Sequence, residues 1–191
     1  MQKPPFGEAF IFAIIFLIIF SGGIGVKKGF SLLELLNVLA VLAAVVSSVT
    51  IFAKNAIRKA KATQVAQNLK TITTSVENKL YLEGFEQLSE IANLSYFGKN
   101  VGENYMLYLV TKPNGEVIVN TVFNDLSVNS ELVGEILPDA MVATADIQHK
   151  LQSGEMFCKI VSYVLKSSVS GLTVTIVPKD SIYLSKNIHI F

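Results

Sequence analysis

Residues 27–38 read Lys27-Lys28-Gly29-Phe30-Ser31-Leu32-Leu33-Glu34-Leu35-Leu36-Asn37-Val38: a basic pair, a glycine and an aromatic, then an apolar run with one carboxylate. The run extends to Ala53, and after Ser31 its polar members are Glu34, Asn37, Ser47, Ser48 and Thr50. At 1.5 Å per residue a helix over 30–53 reaches about 36 Å, enough to cross a hydrocarbon core of about 30 Å with some tilt. An ionisable side chain in such a helix costs on the order of 2.5–3.5 kcal/mol even on permissive insertion scales. Glu34 therefore calls for a partner and a purpose.

Working outward, the same helix has no reason to stop at the end of the apolar run. There is no glycine or proline between Phe30 and Leu82, which permits one uninterrupted helix of about 80 Å. Its second half is amphipathic: Ile57, Val65, Leu69, Ile72, Val76 and Leu80 recur near helical spacing, with Lys70, Glu77 and Lys79 turned elsewhere. That stripe is expected to pack on a domain. Glu83-Gly84 is the expected end, followed by a connecting segment with a short helix near 86–94.

Beyond it the pattern changes to strands. Residues 105–111 and 116–123 are β-rich runs separated by Lys112-Pro113-Asn114-Gly115, and Asn-Gly is a strong hairpin signal. Residues 130–137 read as a short helix stopped by Pro138, residues 156–165 suit either strand or helix, and 172–177 and 182–191 alternate as strands. The expected fold class is α+β: a long N-terminal helix, transmembrane in its first half, packed by its second half on a small antiparallel sheet. The expected divisions are a leader at 1–29, a transmembrane and assembly helix at 30–53, its amphipathic continuation at 54–84, and a globular strand-rich domain at 85–191.

Charge and composition narrow the function classes. With Lys3, Lys27, Lys28 and Glu8 set aside, the 16 basic and 15 acidic residues fall to 13 and 14 from Phe30 onward. So balanced a chain offers no electrostatic case for nucleic acid. The one cysteine, Cys158, cannot close an internal disulfide, and with two distant histidines a structural zinc site is excluded. No nucleophile elbow, phosphate loop, paired-carboxylate spacing or metal-ligand cluster stands in the sequence, so no enzyme, cofactor or metal is expected. His149 reads as a surface residue near Asp146, His189 as part of a terminal strand, and Cys158 as a small buried apolar side chain.

Lys27-Lys28-Gly29 followed by Phe30-Ser31-Leu32-Leu33-Glu34-Leu35 and about twenty apolar residues closely resembles the leader of type IV pilins and of type II secretion and DNA-uptake pseudopilins. The resemblance covers the leader, the anchor and the layout of a long helix before a strand-rich domain. It implies that a membrane-embedded prepilin peptidase cuts between Gly29 and Phe30 and methylates the new amine of Phe30. Lys27 and Lys28 suit that role by holding the bond at the cytoplasmic surface, and Gly29 has no side chain to obstruct a protease pocket. Glu34, one turn after Phe30, would meet the Phe30 amine of a neighbouring subunit; at 4 Å and an effective dielectric near 20 such a pair attracts by about 4 kcal/mol before desolvation.

What the resemblance implies is a structural filament subunit whose partners are the peptidase, other pilin or pseudopilin subunits, an inner-membrane assembly platform and, before assembly, membrane lipid. It implies a single-pass inner-membrane location with the C-terminal domain outside the cytoplasm, then a filament in the periplasm or on the cell surface. A count of flanking basics, Lys54, Arg58, Lys59 and Lys61, points the other way; the resemblance is followed here. Two alternatives stay open: a DNA-uptake pseudopilin or minor tip subunit with a ligand-binding domain, for which nucleic acid is an open partner, and an anchored domain that never assembles.

The residues before Lys27 are read separately. Residues 9–26 form an apolar run interrupted by Ser21-Gly22-Gly23 and Gly25, with no methionine between Met1 and Met106. GTG encodes valine internally yet can initiate translation, so a start at Val26 would yield Met-Lys-Lys-Gly-Phe, and Gly22-Gly23 can be encoded by a ribosome-binding sequence. Residues 1–25 are on this reading upstream sequence, and a Val26 codon unable to initiate would exclude it.

Overall fold

The hairpin built on Lys112-Pro113-Asn114-Gly115 organises the domain. In the computed structural model, which describes residues 32–88, 93–98, 101–161 and 164–190, strands β1 (Tyr105–Thr111) and β2 (Glu116–Phe123) pair antiparallel from Tyr105↔Phe123 to Thr111↔Val117. The turn is closed by Lys112 N–H to the Glu116 carbonyl at 2.8 Å and by Gly115 N–H to the Lys112 carbonyl at 3.1 Å, while Asn114 Oδ1 accepts from the Glu116 N–H. Gly115 has φ +80°, and a Cβ there would stand 2.6 Å from the Ile190 carbonyl oxygen. Both the left-handed backbone and the close approach require glycine.

The long helix α1 spans Leu32–Leu88, interrupted at Gly84, whose φ of 79° and ψ of 178° are not helical. Helical geometry resumes after the glycine, so the expected stop is a break followed by a last turn. The chain then passes a 3-10 turn at Leu94–Tyr96; of the short helix expected near 86–94, residues 89–92 lie outside the described set. Two units divide the chain, Met1–Asn55 and Ala56–Phe191.

The rest of the domain comprises α2 (Ser130–Ile136), β3 (Met141–Val142), β4 (Ile147–Lys150), β5 (Met156–Ile160), β6 (Val164–Ser167), β7 (Thr173–Val177) and β8 (Ile182–His189). The ambiguous 156–165 run resolves into β5 and the start of β6, paired antiparallel through Phe157↔Ser167 to Ile160↔Val164. Asn129 caps α2, its Oδ1 accepting from the Glu131 and Leu132 N–H groups, and Pro138 follows the C-cap Leu137. A six-stranded sheet runs in the order β3-β8-β2-β1-β5-β6 and a two-stranded sheet pairs β4 with β7. The fold is α+β, with all strand pairs antiparallel.

Both faces of the large sheet are covered. Leu107 and Leu109 of β1, Val117 and Val119 of β2, Cys158 and Ile160 of β5 and Ile188 of β8 pack with Ala62, Val65, Leu69, Ile72, Val76 and Leu80 of α1. The alternate residues Tyr108, Val110, Val122 and Phe157 pack with Val174, Ile176 and Val177 of β7. A strand buried on both faces reads as a continuous apolar run rather than an alternating one, as Tyr105-Met106-Leu107-Tyr108-Leu109-Val110 does. The second, two-stranded layer was not anticipated because β4, the partner of β7, is four residues long and half exposed, Gln148 and Lys150 pointing out.

Five of the six stripe residues on α1 are buried, but Ile57 is 57% exposed. Eight residues before Val65, it lies about 80° around the helix from it and off the buried face. Thr73 joins the buried stripe instead, its hydroxyl donating to the Leu69 carbonyl at 2.9 Å and facing Thr121 Oγ1 at 2.8 Å. With Thr73 donating to Leu69, the Thr121 hydroxyl donates to Thr73, and two buried polar groups are satisfied across the helix–sheet interface. Glu77 and Lys79, expected to face away, tie the helix in: Lys186 Nζ of β8 lies 2.6 Å from the Glu77 carboxylate, and Lys79 pairs with Glu83 while sitting over the Tyr96 ring.

Candidate functional site

Of the residues singled out for processing and assembly, Glu34 falls within α1. Lys27, Lys28, Gly29 and Phe30 lie outside the described residues, as does the segment assigned to a leader. Most of the described large apolar side chains in this half of the helix are exposed. Leu35, Leu36, Leu39, Leu42, Val46, Val49, Ile51 and Phe52 are each more than half exposed. Among the described residues α1 is the one helix long and apolar enough to cross a membrane, with an 18-residue window of mean hydropathy 2.4 and none of it buried.

Two hydroxyls within this segment bond back to their own helix. Ser47 Oγ donates to the Ala43 carbonyl at 2.8 Å and Thr50 Oγ1 to the Val46 carbonyl at 2.9 Å. Such i−4 bonds hide a polar group inside the helix and suit apolar surroundings, where an unsatisfied donor costs several kcal/mol. A carboxylate has no proton to donate when ionised, so Glu34 cannot be hidden in the same way.

The globular part carries a polar pair that the sequence reading missed. His149 Nε2 lies 2.8 Å from Glu155 Oε2, which also accepts from the Gln152 N–H at 2.8 Å. Asp146, near His149 in the sequence, has its own contact: its Oδ1 accepts from the Lys179 N–H at 2.6 Å. The only sequence signal was a histidine and a glutamate flanking Gln152-Ser153-Gly154, which bring the two ends together only once the turn has formed. Gly154 lies against the hairpin, where a Cβ would stand 3.0 Å from Pro113.

Glu155 is 3% exposed. Burial pushes its carboxyl up, but the Gln152 N–H and the His149 ring outweigh that, with Lys112 assisting, and hold it below the ordinary carboxylate range. A depressed carboxyl contributes stability above its unfolded pKa and loses it as pH falls through the folded value. Glu155→Gln is therefore expected to lower stability by about 1–3 kcal/mol at neutral pH. The gap from wild type should narrow under acid, read as unfolding midpoint against pH.

The remaining candidates, Cys158 and His189, lie in β5 and β8. Cys158 is fully buried under α1, and burial pushes its thiol up to about 11, far from a reactive thiolate. His189 is exposed at the end of β8 opposite Glu116, whose carboxyl is held low by the Lys112 ammonium 2.9 Å away. Among the described residues no three of His, Cys, Asp and Glu gather into a metal-holding group. A cavity of about 660 Å³ opens beside α1 and α2, lined by Arg58, Asp125, Glu131, Asp180, Val142 and Ile182 among others. No family model, no curated protein and no solved structure matches this chain.

Proposed function

We propose that this chain is a structural subunit of a type IV pilus-like or type II secretion pseudopilus filament, anchored through α1 before assembly. The observation that carries the reading is the division of labour within α1. Its second half is the buried stripe of a folded α+β domain, and most of the described large apolar side chains of its first half, the half whose sequence includes Glu34, are exposed.

A bare apolar helix is stable only in lipid or against other such helices. In lipid, the cost of Glu34 has no return. Beside the cleaved, positively charged amine of Phe30 on a neighbouring chain, the same carboxylate is an attraction, so it favours the assembled state over the dispersed one. The proposed partners are accordingly a prepilin peptidase, further pilin or pseudopilin subunits and an inner-membrane assembly platform, with the domain on the extracytoplasmic side. The test is the identity of the mature N-terminus in cells with an active peptidase, where the chain is expected to begin at a methylated Phe30.

A further inference from the structure

Charge along this chain is segregated. Between Leu35 and Val76 there is no acidic residue, and Lys54, Arg58, Lys59, Lys61 and Lys70 stand there alone. Between Pro113 and His149 there is no lysine or arginine, and Glu116, Asp125, Glu131, Glu135, Asp139 and Asp146 stand there. Each stretch repels itself. Lys54 and Arg58 are four apart on one helix, Arg58 and Lys61 three apart, and Glu131 and Glu135 are four apart on α2, all spacings at which like charges destabilise a helix.

The structure leaves most of these charges exposed and without an ion pair among the described residues. This holds for Arg58, Lys59, Lys61 and Lys70 on one side and for Glu131, Glu135 and Asp139 on the other. Arg58 turns to the cavity that holds Asp125, Glu131 and Asp180, and the charge of Lys61 reaches Asp125. Lys59 does not share that direction, since one residue is about 100° around the helix from Arg58. Lys70, three turns or about 16 Å further on, lies on the same face as Lys59.

Next to that pair, the face of α1 opposite the buried stripe carries Ala60, Gln64, Gln67, Thr71, Thr74 and Asn78, all exposed and all uncharged. A helix face held only in water commonly carries charges, whereas the centre of a protein interface is depleted of them and its rim is polar. Thr71, Thr74 and Asn78 are also weak helix formers, so the C-terminal half of this face gains little from its sequence as an isolated helix.

We propose that the face of α1 bearing Lys59 and Lys70 docks a second copy of this chain through that copy's acidic face, Glu131, Glu135 and Asp139. The contact is heterologous: each copy offers the basic face to one neighbour and the acidic face to another, so it propagates rather than closing on itself. It rests on the filament reading and adds to it a surface in the globular part. Charge complementarity sets the register, while the uncharged face beside Lys59 and Lys70 provides close packing.

The experiment uses the full chain in cells carrying the assembly machinery. Lys59→Glu and Glu131→Lys are each expected to lower recovery of the chain in filaments by about tenfold, as like-charge juxtaposition does, and a chain with both substitutions is expected to recover. Two differently tagged chains, one Lys59→Cys and one Glu131→Cys, are expected to form a mixed disulfide on mild oxidation, and two Lys59→Cys chains are not. If the double substitution fails to restore recovery and no mixed disulfide forms, while Glu34→Gln still abolishes incorporation, this docking is wrong and the filament reading stands. If wild type never enters filaments, both fall.

Discussion

Replacing Glu34 with glutamine or alanine is expected to leave cleavage after Gly29 intact and to remove the chain from filaments. On the proposed reading, processing needs the peptide bond between Gly29 and Phe30 at the membrane surface, and nothing in that requirement involves the carboxylate. Assembly is different. A carboxylate and an amine brought together in apolar surroundings attract by about 4 kcal/mol at 4 Å and an effective dielectric near 20. Removing one partner of such a buried pair costs about 3–5 kcal/mol because the other charge is left uncompensated. The loss recurs at every subunit, so incorporation should fall below detection rather than decline in proportion. Ser47 and Thr50 offer a contrast: each closes its hydroxyl on its own helix, so substituting them should leave assembly nearly unchanged. Filament incorporation at the wild-type level by Glu34→Gln would remove the carboxylate from the account.

Ile72→Ala is expected to destabilise the globular part by about 2–5 kcal/mol, and Ile57→Ala by no more than about 0.5 kcal/mol. Both are isoleucines on α1. Ile72 is fully buried between the helix and the large sheet, whereas Ile57 is 57% exposed. In the first case methyl groups leave a packed interior and a cavity remains; in the second, water already surrounds the side chain. Chemical denaturation of the full chain in detergent, followed by a probe of tertiary packing, reads the difference. Equal effects from the two substitutions would contradict the placement of the buried stripe.

Where the chain spells its structure locally, the sequence is sufficient. The hairpin has the bounds its residues imply because Asn114-Gly115 fixes the turn and the flanking runs are β-branched and aromatic. The helix over 130–136 follows from Asn129 as cap and Pro138 as stop. What escaped is non-local. Ile57 belongs to the apolar pattern by spacing but not by angle. The β4–β7 layer depends on a pairing with a bulge between Ile147 and Gln148, which no local propensity announces. His149 and Glu155 meet because the intervening turn folds back toward the hairpin, a tertiary event with no short motif.

The residues proposed for processing and assembly are a reading of another kind. Lys27, Lys28, Gly29, Phe30 and Glu34 are set by their order along the chain, and that order carries the functional reading. The structure contributes the physical setting of Glu34: a helix whose apolar half is uncovered and whose other half is locked into a domain. A chain so divided gains from surroundings that match its bare half, and the carboxylate favours those in which a positive amine is within reach.

Mass spectrometry of the N-terminus from cells with an active prepilin peptidase tests this most directly. The expected mature chain begins at Phe30 with a methylated amine. A chain that retains Gly29 and the residues before it under those conditions would contradict the account.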